Sequence, residues 1–214
     1  MEKAHGTNIN VTMDGENIKF GKRTTFYERE SMKSFFRYER FWNKYRQKCA
    51  DVWNNCKYKT VTIYGELIGG DYPHSKVEKV EIPRIQGGVY YHPGHDFYAF
   101  DIRADGEYLP YAKVLFRGSF KDVLNYSAKT KADPTTIPSM FGLEEIEDNV
   151  REGNVLKPVV TTYIKSKRVI LKDKNDKFSE KKRTCDSEKV LDCPDYVKKN
   201  STTSFKIRDH PTIQ

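Results

Sequence analysis

The chain has 214 residues, with 38 Lys and Arg against 30 Asp and Glu, a formal charge of +8 and 13% aromatics. This length suits one domain with a core that folds unaided, and the basic balance is compatible with phosphate-bearing partners or with a solvated basic surface. No apolar stretch approaches the roughly 18 residues needed to cross a bilayer, so neither a signal peptide nor a membrane helix is predicted and a soluble, intracellular protein is expected. The four cysteines, Cys49, Cys56, Cys185 and Cys193, have spacings that match neither a zinc site nor a disulfide framework and read as reduced thiols.

The first eight residues put Lys3, His5 and Asn8 at the mouth of a predicted strand, residues 9–13, which makes this stretch the place to seek a covalent nucleophile. Asp14-Gly15-Glu16-Asn17 then reads as the turn of a hairpin returning through residues 18–21. Its end brings Lys22 and Arg23 back towards Lys3, either as a phosphate-sized cluster of cations or as charge protecting an edge strand.

From 31 to 49, Met32, Phe35, Tyr38, Trp42, Tyr45 and Cys49 recur at helical spacing and predict an amphipathic helix with these side chains in the core. Residues 60–64 read as a β-branched strand ending in Gly65-Glu66-Leu67-Ile68-Gly69-Gly70, where Glu66 is a candidate ribose or metal contact. The absence of Gly-Lys-Ser/Thr there excludes a P-loop. Residues 71–96 read as a long surface connection with surface histidines, His92 and His95 being separated by a Pro93-Gly94 turn.

A strand is predicted over 97–102, where an aromatic either stacks on a base or packs in the core. Another is predicted around 112–116, followed by a short helix capped by Ser119. Residues 129–138 read as a polar linker. Over 168–174, Lys172 and Lys174 stand two apart on a predicted strand, so both ammonium groups share one face and suit a phosphate clamp. From 175 onward the chain is charged and poor in apolar residues.

Taken together, these residues resemble a known family. Lys3-Ala4-His5-Gly6-Thr7-Asn8 resembles the first nucleotidyltransferase motif of the RNA ligase 2 family, which contains the phage nick-sealing RNA ligase and the kinetoplastid RNA-editing ligases. Gly21-Lys22-Arg23-Thr24 is similar to its next motif, and Tyr64-Gly65-Glu66-Leu67-Ile68-Gly69-Gly70 to its third. Residues 97–102, 152–158 and 169–174, with Lys177-Phe178-Ser179-Glu180-Lys181-Lys182 after them, complete the set in family order. One motif alone is weak, whereas six in order are specific, and the run from 69 to 74 resembles the editing ligases more than the phage enzyme.

The resemblance implies an α+β nucleotidyltransferase (ATP-grasp-like) domain over 1–182, with two packed, largely antiparallel sheets flanked by helices and a polar tail over 183–214. It implies three-step sealing: a lysine attacks the α-phosphate of ATP, AMP passes to an RNA 5′-phosphate, and a 3′-hydroxyl displaces it, at nicks in duplex RNA. Lys3 is then the nucleophile. A lysine is mostly ammonium at neutral pH, so cations or a metal must favour the amine, a role for Lys172 and Lys174, which also hold the α-phosphate. Glu2 is implied to lie against adenine, Arg23 and Glu66 on the ribose, and Phe100 stacked on the base. Asp101 and Lys157 fall on further nucleotide-binding positions. Glu152 orients the amine or a magnesium (or manganese) ion, with Glu66 and Asn8 as further metal contacts, and His5 acts in the steps that involve RNA.

Two departures from the family belong with these expectations. An arginine stands two positions before the family's lysine where this chain has Met1, which implies an N-terminally clipped lobe with little to hold the nucleophile's backbone. After the last motif the remaining residues do not make up a helical domain, which implies an accessory protein. The alternatives are a catalytically impaired RNA-binding remnant, an mRNA-capping guanylyltransferase or a DNA ligase, and His5-Gly6 departs from the Lys-x-Asp-Gly pattern of the last two.

Overall fold

A computed structural model describes residues 1–178 except 16, 23–24, 27–35, 37 and 110. Along the chain these form β1 (Glu2–Lys3), β2 (Thr7–Asp14), β3 (Asn17–Lys22), α1 (Tyr38–Asn54), β4 (Thr60–Asp71), β5 (His92–Ala104), β6 (Glu107–Leu109), α2 (Phe120–Thr130), β7 (Gly153–Leu156), β8 (Tyr163–Ile164), β9 (Lys167–Arg168) and β10 (Leu171–Lys174). Five strands make one antiparallel sheet in the order β3-β2-β4-β5-β6, three make a second in the order β1-β7-β10, and β8 pairs with β9. The fold is thus α+β with antiparallel sheets, as the sequence predicts.

The alternation in residues 7–14 sets the two faces of the larger sheet. Ile9, Val11 and Met13 are buried on one face with Phe20, Val61 and Leu67, and α1 packs there through Phe41, Trp42, Tyr45 and Cys49. Each such side chain removed from water contributes about 2 kcal/mol. Phe41, absent from the predicted stripe, is the most buried of the four positions and sits edge-on to both Phe20 and Phe97. The helix continues to Asn54, beyond the predicted end at Cys49, while Met32 and Phe35 lie outside the described residues. The other face of the sheet packs a second core of Ala4, Ile68, Val89, Tyr91, Tyr98 and Ile137.

Four expectations are corrected. The strand predicted over 60–64 runs on to Asp71, because the glycines after Glu66 permit register shifts and do not end the pairing. The predicted connection over 71–96 ends at His92, where β5 begins with Pro93 and Gly94 inside it. Residues 112–116 form no strand: Val114 and Phe116 are exposed, and Phe116 stacks flat on Tyr126, centroids 4.7 Å apart. Residues 129–138 are not a free linker, since Thr135 and Ile137 are buried and Pro134 bridges to Val150. Helix α2 does start at the Ser119 cap, which accepts from the Asp122 amide, and it extends to Thr130.

Candidate active site

The smaller sheet carries the predicted nucleophile. Lys3 of β1 lies across from Gly153 of β7, and Lys174 of β10 lies across from the same glycine on its other side. Paired residues share a face, so Lys3, Lys174 and, two positions back, Lys172 all point to one side. The strand reading thus holds for Leu171–Lys174, while Arg168 belongs to β9 and residues 169–170 lie in no strand. Glu2, Asn154 and Asp173 form the next row and point to the other side.

Gly153 makes this arrangement possible. Its φ is +150°, and a Cβ there would stand 2.1 Å from the Asp173 carbonyl oxygen and 2.8 Å from the Lys174 Cα. Simple alternation would send Glu152 to the side of Asn154; the backbone at Gly153 breaks it and turns Glu152 towards Lys3. Lys3 Nζ donates to Glu152 Oε2 at 2.5 Å, His5 Nδ1 lies 3.4 Å from the same oxygen, and Lys174 Nζ lies 3.7 Å from Oε1. Burial acts to raise the Glu152 carboxyl, but hydrogen bonds from His5 and Lys3 outweigh it and hold the group below its usual range.

The backbone of this terminal strand is fixed on both sides. The Met1 nitrogen donates to the Val155 carbonyl and the Val155 amide to the Met1 carbonyl, so β7 holds the backbone beside Lys3 where the sequence suggested little support. The His5 amide donates to the hydroxyl of the buried Tyr91 at 2.9 Å, and the His5 ring leans on Phe178 with centroids 5.2 Å apart. At Gly6 the chain passes so close to β4 that a Cβ would be 2.3 Å from the Leu67 carbonyl oxygen. This accounts for a glycine directly after His5.

The larger sheet brings in Glu66, which lies mid-strand opposite Asn8 on one side and Tyr98 on the other. Burial pushes its carboxyl up to about 7, against the pull of the Lys3 charge and with the charge of Glu152 adding to the rise. Among the described residues no group of three or more His, Cys, Asp or Glu side chains is arranged to hold a metal. Two carboxylates facing one volume, one of them raised by burial and by the other's charge, are nevertheless a donor set that a divalent cation would relieve.

Phe100 is the extra residue of a β-bulge: Tyr64 pairs with Asp101 and Gly65 with Ala99, leaving Phe100 without a partner in the register. Bulges re-aim side chains beside active sites. Lys157 Nζ lies 5.8 Å from the Phe100 ring centroid, donates to the Phe100 carbonyl at 3.3 Å and pairs with Asp101 at 3.0 Å. The buried Asp101 also takes two bonds from Arg168, at 2.6 and 3.2 Å, and Arg168 lies over Tyr108. Burial lowers the Lys157 ammonium against the opposing pull of Asp101.

The sequence-predicted residues thus separate into placed and unplaced. Lys3, His5, Glu152 and Lys174 meet directly, Glu66 and Lys172 act electrostatically on the same volume, and Asp101 and Lys157 form an adjoining cluster beside Phe100. Glu2 differs from expectation. Its carboxylate is buried on the opposite face, bonded to the Thr135 and Thr136 hydroxyls and the Thr136 amide, so only its main chain remains for a base on the Lys3 side. Arg23 lies outside the described residues. The roles of Tyr91, Arg168 and the two threonines were not foreseen, because no local motif marks partners that lie this far away in sequence, and Gly153 stands inside the 152–158 motif without having been singled out. A groove of about 1130 Å³ is lined by Asp101, Lys157 and Arg168 together with Tyr126, Asn154 and Leu171, and Lys3 is not among its lining residues.

The chain is 28% identical over 201 residues to the mitochondrial RNA-editing ligase 2 of Trypanosoma brucei brucei, a match covering 73% of this chain and 47% of that ligase. The chain therefore spans about half the length of this curated relative. The fold is similar to that of a Naegleria gruberi RNA ligase solved with PPi, with a TM-score of 0.51 and 16% identity over 83% of this chain and 49% of that one. A mutant of a Naegleria gruberi RNA ligase solved with ATP and Mn matches with a TM-score of 0.49 and 18% identity, over 83% and 48% of the two chains. The family profile described as RNA ligase matches residues 1–174, more than half of the chain, and the trypanosome relative supports the RNA ligase 2 branch: the chain belongs to the RNA ligase family.

Proposed function

We propose that this chain carries the adenylyltransferase step of an ATP-dependent RNA ligase, with Lys3 as the residue that takes AMP. The observation that supports it is the convergence of Lys3, His5 and Lys174 on the Glu152 carboxylate, with Glu66 facing the same volume. Glu152 holds the Lys3 side chain in one orientation, which a flexible four-carbon stem lacks by itself, and fixed geometry of this kind is worth large factors in rate. Lys174 and Lys172, on the same face, stand where negative charge grows on an α-phosphate attacked by Lys3. Phe100, aimed by its bulge, offers a face for the adenine.

Glu152 and Glu66, with Asn8 beside Glu66, are the residues that would hold magnesium. That ion would withdraw charge from the phosphate oxygens and neutralise the two carboxylates. His5 stays on Glu152 once Lys3 carries AMP and is placed to act in the transfer to an RNA 5′-phosphate. Sealing to a 3′-hydroxyl at a nick in duplex RNA is part of the same proposal; the RNA ligase family and the RNA-editing ligase relative support an RNA substrate.

The test mixes the protein with magnesium and ATP labelled at the α-phosphate, denatures it and follows label on the chain. Label that disappears in Lys3→Ala supports the reading. A folded wild type that takes no label overturns it, and label from GTP in place of ATP points to capping chemistry.

A further inference from the structure

The row of side chains behind the lysines is as organised as the row in front. Asp173 stands between Lys172 and Lys174 and points away from them, towards α2. There Ser127 donates to Asp173 Oδ2 at 2.8 Å, and Lys131 Nζ lies 3.4 Å from Oδ1. Asn154, across the ladder from Asp173, donates to the Ser127 and Thr130 hydroxyls at 3.3 and 3.2 Å. Ser127, Thr130 and Lys131 follow the three- and four-residue spacing of a single helix face. Ser127 is 1% exposed and Asn154 3%.

We propose that this face of α2 positions the catalytic lysines: through Asp173 and Asn154, Ser127 and Lys131 set where β10 presents Lys172 and Lys174 to Lys3. The inference rests on the adenylyltransferase reading. The sheet itself is weakly specified, because β1 has two residues and β7 and β10 four each. Strands this short are marginal without an anchor, and a slip of one residue would turn both lysines away from the reaction and bring Asp173 to it. On the rear side the apolar side chains of β7 and β10 are Leu156, which is buried, and its partner Leu171, which is 43% exposed. At Asp173 and Asn154, between these and the lysines, the contacts that hold the register are the polar ones to α2. In this role Ser127, Asp173 and Lys131 are positioning residues that touch neither nucleotide nor RNA.

The experiment measures single-turnover AMP attachment against ATP concentration. Ser127→Ala and Asp173→Asn are expected to slow the reaction at saturating ATP about 10-fold, with less than a two-fold change in the ATP concentration giving half the maximal rate, because the displaced lysines act mainly as charge develops. Lys131→Met is expected to slow it about three-fold and Lys131→Arg to restore it. Ser119→Ala, which loosens the start of the same helix without touching Asp173, is expected to lower the melting temperature and leave the rate unchanged. Wild-type rates in Ser127→Ala and Asp173→Asn, or equal slowing in Ser119→Ala, would overturn the proposal.

A wild type that takes no AMP defeats the adenylyltransferase reading instead, and nitrogen-15 NMR of lysine ammonium groups then decides the positioning claim alone. Asp173→Asn should abolish the Lys174 signal while keeping that of Lys44, which is paired with Asp96 at 2.5 Å on another element. A Lys174 signal unchanged in that variant refutes the claim.

Discussion

Lys3 donates to Glu152 across 2.5 Å although 149 positions of sequence separate them. Glu152→Gln keeps the shape of the acceptor and removes its charge, so the amine loses its fixed orientation while the fold keeps its packing. AMP attachment to Lys3 is expected to fall about 100-fold with ATP affinity nearly unchanged. Rapid-quench labelling measures this, and a loss of less than three-fold would remove Glu152 from the reaction.

The contrast between local and distant relationships explains what was legible in the sequence. The alternation from Ile9 to Met13 and the β-branched run from Thr60 are local signals, and both became strands. Glu66 was recognisable as a special acid but misplaced at a strand end, because glycines that permit register shifts look like glycines that stop a strand. Residues 112–116 have strand composition yet no strand to pair with, and pairing is decided by the rest of the chain. At the site, family motifs single out Lys3, Glu152 and Lys174. Ser127, Thr135 and Tyr91 are ordinary residues in sequence, and only the packing of α2 and of the loops on the smaller sheet gives them partners.

Glu66 provides a pH signature. Its carboxyl is raised from 4.5 to about 7, first by burial. Between those values the folded state holds a proton that the unfolded state has released, so stability falls as pH rises through this window and the full cost is present above pH 7. The shift corresponds to a cost on the order of 3 kcal/mol. Glu66→Gln should therefore be more stable than wild type at pH 8, without divalent cations, and gain little at pH 5. Urea titrations at the two pH values test this, and an equal gain at both would show that Glu66 is not the titrating group.

Asp101 is buried between two cations, with Arg168 at 2.6 Å and Lys157 at 3.0 Å. Removing the shared anion leaves both cations unpaired in a poorly solvated position, which costs about 3 kcal/mol or more. Asp101→Leu should show this loss in urea unfolding. The triple replacement Asp101→Leu, Lys157→Met, Arg168→Leu should recover most of the stability while remaining unable to hold nucleotide normally. If the triple variant is no more stable than the single one, the loss comes from packing and not from the stranded charges.

Gly153 separates Lys3 from Lys174, and it is the one position in the smaller sheet where the close approach of neighbouring backbone leaves no room for a side chain. In Gly153→Ala the new methyl group meets the Asp173 carbonyl and the Lys174 Cα, so relief requires β7 and β10 to part. Overpacking of this sort costs about 1–3 kcal/mol, and a φ of +150° adds backbone strain of similar size for a non-glycine residue. The variant should lose about 3 kcal/mol in urea unfolding. Where it remains folded, AMP attachment to Lys3 should drop more than 10-fold, because the strand that parts is the one carrying Lys172 and Lys174. A variant that is destabilised to this extent but labels at the wild-type rate would mean that the spacing between Lys3 and Lys174 is not used in the reaction.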